Sequence, residues 1–79
     1  MTNKERYTNV FVTTFNITSE QTVGLQYTGI PAWDSVGHMT LIAELEDAFG
    51  IMMDTDDIID LSSFEKGMEI LSEKYDVEF

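Results

Sequence analysis

The stretch Asp34-Ser35-Val36-Gly37-His38-Met39-Thr40-Leu41-Ile42-Ala43-Glu44-Leu45-Glu46-Asp47-Ala48-Phe49-Gly50 decides the fold. At about 100° per residue, Leu41, Ile42, Leu45, Ala48 and Phe49 fall on one face, which is a core stripe. Asp34 and Ser35 both suit the N-cap position, and Gly50 suits a helix terminator. The spacing therefore predicts a helix that begins at Asp34 or Ser35 and ends at Phe49. Val36, Met39 and Ala43 share the opposite face, flanked by Thr40, Glu46 and Asp47. That second apolar patch faces outward beside the helix N-terminus. His38 lies on the core-side arc, where a packed or partly buried imidazole is expected.

Working outward, residues 18–34 show no period and are interrupted by Gly24, Gly29 and Pro31, so they read as a loop. A loop this long in a compact domain is commonly functional or well packed. Val23, Leu25, Tyr27, Ile30 and Trp33 are its expected apolar anchors. Before it, Tyr7, Phe11 and Phe15 form an i, i+4, i+8 row with Val10 beside it, which predicts a first helix of about three turns. Beyond Gly50, Asp54-Thr55-Asp56-Asp57 suits the start of a short helix through Ile58, Ile59 and Leu61. Ser62 with Glu65 three residues later reads as a capping box. The last helix is expected to bury Phe64, Met68, Leu71 and Tyr75. The chain is thus expected to be all-α, a single domain over residues 1–79, with four helices, a short third helix and a long loop between the first two.

Composition narrows the function. The 79 residues contain fifteen acids, four bases and no cysteine, for a formal net charge of -11. Residues 1–33 are neutral on balance, so the entire net charge lies in residues 34–79. Such a chain is repelled by phosphate backbones and anionic lipid, which makes nucleic acid and membrane poor partners. Proteins with basic patches are the expected partners, and the charge discourages self-association, which favours a monomer. The absence of cysteine excludes a disulfide framework, a thiolate metal site and a thiol nucleophile. No apolar run approaches the roughly 20 residues of a membrane span. The N-terminus lacks the layout of a signal peptide, so a cytoplasmic location is expected.

The candidate chemical sites reduce to one. Asp54, Asp56, Asp57 and Asp60 crowd together, but Ile58 and Ile59 stand where a calcium loop needs an oxygen ligand and a glycine. His38 is the only histidine, so a histidine-based metal site is excluded. Trp33-Asp34-Ser35-Val36-Gly37 lacks the first glycine of a nucleophile elbow and no strand precedes it. No catalytic residue is therefore assigned. Ser35 remains, where a long loop meets a helix N-terminus whose partial positive charge favours a phosphate group.

Asp34-Ser35-Val36, followed by Leu41, Leu45-Glu46-Asp47 and Phe49-Gly50-Ile51, resembles the signature of the acyl carrier protein family, to which peptidyl carrier domains are closely related. Asp60-Leu61-Ser62-Ser63-Phe64 and Ile70-Leu71 look like that family's short third helix and the start of its fourth. The resemblance covers nearly the whole chain. It implies a four-helix acyl-carrier-type bundle in which Ser35, preceded by Asp34, carries a 4′-phosphopantetheine arm derived from coenzyme A. The chain would then be no enzyme itself but the substrate of a phosphopantetheinyl transferase, and the arm would hold acyl groups as thioesters. The implied partners are that transferase, a loading ligase or synthase and a downstream acyltransferase, in fatty acid, polyketide or related biosynthesis. Val36, Met39 and Ala43, with Glu46, Asp47, Asp56 and Asp57, are the positions partners would contact. Leu41, Leu45, Ile58 and Ile59 could line a groove between the second and third helices that sheathes an acyl chain, but each of them is read first as an ordinary core position.

The chain departs from the fatty-acid-synthesis type at Gly37, His38, Met39 and Thr40, and Trp33 before Asp34 is distinctive. This points to a specialised pathway. Two alternatives stand beside the acyl carrier: a freestanding peptidyl carrier protein, and a non-covalent acidic helical adaptor in which Ser35 is only an N-cap. The start at Met1 and the short flanks favour a freestanding protein.

Overall fold

The structure is a computed structural model describing all residues, Met1–Phe79. It is all-helical, with α1 (Asn3–Phe15), a single 3-10 turn (Glu20–Thr22), α2 (Ser35–Phe49), α3 (Thr55–Asp60) and α4 (Phe64–Lys74). No helix is long and apolar enough to cross a membrane.

Helix α1 starts with a capping box: Thr2 Oγ1 accepts from the Glu5 N–H, and the Thr2 N–H donates to Glu5 Oε1 at 3.0 Å. Those bonds hold the Glu5 carboxyl below its usual range. The row Tyr7, Val10, Phe11 and Phe15 is buried, and α1 pairs most extensively with α2. Aromatic contacts organise the centre. Phe11 lies 5.0 Å from both Tyr7 and Phe64 and 5.5 Å from Trp33, while Phe15 stacks on Trp33. Tilted and edge-on pairs of this kind add about 0.5–1.5 kcal/mol each beyond area burial. Tyr7 donates its hydroxyl to the Phe64 carbonyl at 2.8 Å, and burial pushes that phenol far above its ordinary range.

Helix α2 follows its sequence expectation. Asp34 is the N-cap, Gly50 ends the helix in the left-handed conformation, and Leu41, Ile42 and Leu45 are buried. The glycine at position 37 has a steric cause. A Cβ there would collide with the Ala32 carbonyl, so the loop can lie against the first turn of α2 only because that residue has no side chain.

The segment between α1 and α2 is packed, but its anchors differ from those expected. Leu25 and Trp33 are buried, as is Thr22, whereas Val23 is 78% exposed and Tyr27 is 40% exposed. Backbone pairing holds the loop in place. The Tyr27 N–H donates to the Ser62 carbonyl and the Phe64 N–H to the Leu25 carbonyl, each at 2.8 Å, which ties the loop to the α3–α4 junction.

The same pairing corrects the cap of α4. Ser63, not Ser62, is the N-cap and accepts from the Lys66 N–H. Glu65 does not close a capping box; its carboxylate accepts from the Gly24 N–H at 3.0 Å, a link across the molecule. Phe64, Gly67, Ile70 and Leu71 are the buried positions of α4, while Met68 and Tyr75 are partly covered. Helix α3 has Asp54 as N-cap, without a side-chain bond to the helix.

Candidate functional site

Ser35 is the first residue of α2 and is exposed. Asp34 takes the capping role: its Oδ1 accepts from the Gly37 N–H at 2.8 Å. The Ser35 hydroxyl is thereby relieved of capping and left free at the surface. As the first two residues of the helix, Ser35 and Val36 have backbone N–H groups with no intrahelical acceptor. A phosphate attached at Ser35 Oγ would meet those groups and the positive end of the helix.

Ser35 lies on the rim of an apolar groove of about 380 Å³. Met39 from α2 and Ile58 and Ile59 from α3 supply its walls, with Tyr27 from the loop. Leu41 and Leu45 do not line it; both are fully buried, in keeping with their reading as core positions. Their place on the core stripe of α2 is the reason. The groove runs along the surface between helices, while those leucines point to the aromatic centre. Tyr27, Leu61 and Ser62 line the groove without having been legible as site residues, because only the pairing of the loop with the α3–α4 junction brings them there.

Around Ser35, Val36 is 75% and Met39 56% exposed, and Ala43 is also exposed. The outward apolar patch on α2 is therefore present. The four acids expected to face partners divide into two pairs. Asp47 and Asp56 are exposed. Glu46 is partly covered, and its carboxylate accepts from the Met53 N–H at 2.9 Å, which fastens the turn after α2. Asp57 is a correction: it is 2% exposed and points inward. Lys74 Nζ donates to its Oδ1 at 2.7 Å and the Tyr75 hydroxyl to its Oδ2 at 2.6 Å. The Lys74 and Tyr75 bonds hold its carboxyl below the usual range. Tyr75 also accepts from the Asp54 N–H at 2.8 Å, so one phenol ties two residues of the α3 N-terminus to the end of α4.

His38 is partly buried, as its arc on α2 predicts. No group of three or more His, Cys, Asp or Glu side chains is arranged to hold a metal ion. Comparisons with protein-family models, with curated proteins and with solved structures return no match to this chain.

Proposed function

We propose that this chain is an acyl carrier protein with an acyl-carrier-type helical bundle, and that Ser35 is its attachment site for 4′-phosphopantetheine. The observation that carries this reading is the exposed Ser35 hydroxyl, released from capping by Asp34, at the start of a 15-residue helix and on the rim of an apolar groove. In the loading reaction, Ser35 Oγ bonds to the pantetheinyl phosphorus of coenzyme A, adenosine 3′,5′-bisphosphate leaves, and the serine proton passes to the transferase. The bound arm supplies the thiol that the chain itself lacks, on which acyl groups are held as thioesters. Asp34 keeps the first turn of α2 capped while Ser35 is modified. Val36 and Met39 offer an apolar contact, and Asp47 and Asp56 offer charge to basic partner surfaces, which steers weak, salt-sensitive encounters. The unusual residues Trp33, Gly37 and His38 support a carrier dedicated to one pathway, working in the cytoplasm.

Intact mass after incubation with coenzyme A, magnesium and a broad-specificity phosphopantetheinyl transferase tests this directly. Wild type gains one phosphopantetheine, and Ser35→Ala gains none while keeping its helical circular dichroism. No gain by folded, unmodified wild type favours the non-covalent adaptor reading, for which the exposed Val36 and Met39 patch would be the binding surface.

A further inference from the structure

His38 sits where the loop, α2 and α3 meet, and both of its ring nitrogens are engaged. Trp33 Nε1–H donates to His38 Nδ1 at 2.9 Å. An indole N–H can only donate, so Nδ1 carries no proton. The proton is therefore on Nε2, which donates to the Ile58 carbonyl at 2.7 Å. Ile58 lies near the end of the six-residue α3, where carbonyls lack intrahelical partners. His38 supplies one of them from a neighbouring helix. The imidazole lies nearly coplanar with the Trp33 indole, 13° from parallel and edge to edge through the Trp33–His38 hydrogen bond, and meets Tyr27 edge-on at 5.4 Å between centroids. The ring is thus a bolt that ties α3 to α2 and to the loop.

This bolt forms part of the wall of the groove beside Ser35. Behind it, Trp33 and Leu41 have no exposed surface, so the groove ends before the core. Its volume of about 380 Å³ is at the small end of the roughly 300–1,000 Å³ range of small-molecule sites. A long chain could reach the core only by breaking the His38–Ile58 bond and moving α3, which leaves the His38 Nε2–H and the Ile58 carbonyl without each other.

We propose that His38 is the residue that sets cargo length: with its bonds intact the groove accepts a short acyl group and keeps a long one out of the core. This rests on the carrier reading of Ser35. Methylenes beyond the groove stay in water and add no stabilisation.

The test uses full-length wild type, His38→Ala and His38→Gln, each loaded at Ser35 from acetyl-, butyryl-, octanoyl- or hexadecanoyl-coenzyme A and verified by intact mass. Thermal midpoints of wild type should rise over the short chains and show no further rise from octanoyl to hexadecanoyl. His38→Ala should keep rising through hexadecanoyl. His38→Gln retains an acceptor and a donor, and should restore the plateau. A wild-type midpoint that climbs through hexadecanoyl overturns the proposal, as does a plateau in folded His38→Ala equal to that of wild type. If His38→Ala does not fold, the wild-type series decides alone. Trp33 is the sole tryptophan and reports on the bolt without any cargo. Its emission should shift to the red in His38→Ala and return in His38→Gln, and unchanged emission in His38→Ala overturns the bolt. Absence of any added mass on wild type is a separate outcome, which overturns the carrier reading and the cargo limit together.

Discussion

Helices α2 and α3 form opposite walls of the groove beside Ser35, yet α2 buries Leu41, Ile42 and Leu45 whereas α3 buries only Asp57. Full burial of an aliphatic side chain contributes roughly 1.5–3 kcal/mol, so α2 is held by the hydrophobic effect. Six residues are far too few for a helix to persist alone in water. Helix α3 packs only the partly buried Ile58 against the core and relies on polar ties at both ends: Asp54 and Asp57 to Tyr75 and Lys74 at its start, and the Ile58 carbonyl to His38 near its end. Hydrophobic burial is insensitive to protonation and to small rotations, while hydrogen bonds and ion pairs depend on both. The wall made by α3 is therefore expected to open at lower free energy than the wall made by α2.

The largest expected effect comes from the wall held by buried side chains. Leu41→Ala should lose about 2–5 kcal/mol of unfolding free energy in chemical denaturation. Ile59→Ala, on the exposed side of α3, should lose no more than about 0.5 kcal/mol. Similar losses from the two substitutions would erase the distinction between the walls.

Gly37→Ala comes next and sharpens how α2 is seated. Helix propensity alone would stabilise the variant by roughly 0.5–1 kcal/mol. The collision with the Ala32 carbonyl forces a backbone shift of the kind that costs about 1–3 kcal/mol. Net destabilisation is expected, and a more stable variant would show that the loop does not press against the first turn of α2.

The smallest effect is confined to α3 and depends on pH. The Asp57 carboxyl is lowered by its bonds to Lys74 and Tyr75, and Lys74 is raised by the same partner. A lowered carboxyl contributes stability above its unfolded value of about 3.9, and loses it as pH falls through the folded value. The raised Lys74 contributes below its unfolded value and loses stability as pH rises through the folded one. Asp57→Asn should therefore be less stable than wild type across neutral pH. The gap should close in acid and narrow in strong alkali, in denaturation curves taken over a pH series. Hydrogen exchange at neutral pH should quicken in α3 before α2. A gap independent of pH would mean that the carboxylate charge does not hold α3.

Much of this arrangement was readable along the chain. The bounds of α2, its stop at Gly50, its core stripe and its outward Val36–Met39–Ala43 patch all depend on contacts within a few residues, so a period near 3.6 and two capping residues suffice. The row Tyr7, Phe11 and Phe15 was legible for the same reason. Exposure of Ser35 follows from its place at the start of that helix. The acids were less legible, because a carboxylate is suited equally to water, a cap or a distant donor. Glu46 turns to Met53, Asp57 to Lys74 and Tyr75, and Glu65 to Gly24.

Local periodicity, then, carries the helices, the single long loop and the serine at the head of α2, because each is set by neighbours a turn or less away. The groove was decided elsewhere. Its lining by Tyr27, Leu61 and Ser62, the choice of Ser63 over Ser62 as cap, the inward turn of Asp57 and the double engagement of His38 all join residues distant in the chain. The two bonds that tie the loop backbone to the α3–α4 junction set that register. No pattern within a short window of sequence encodes it, since unpaired backbone groups find their partners only once the helices have packed.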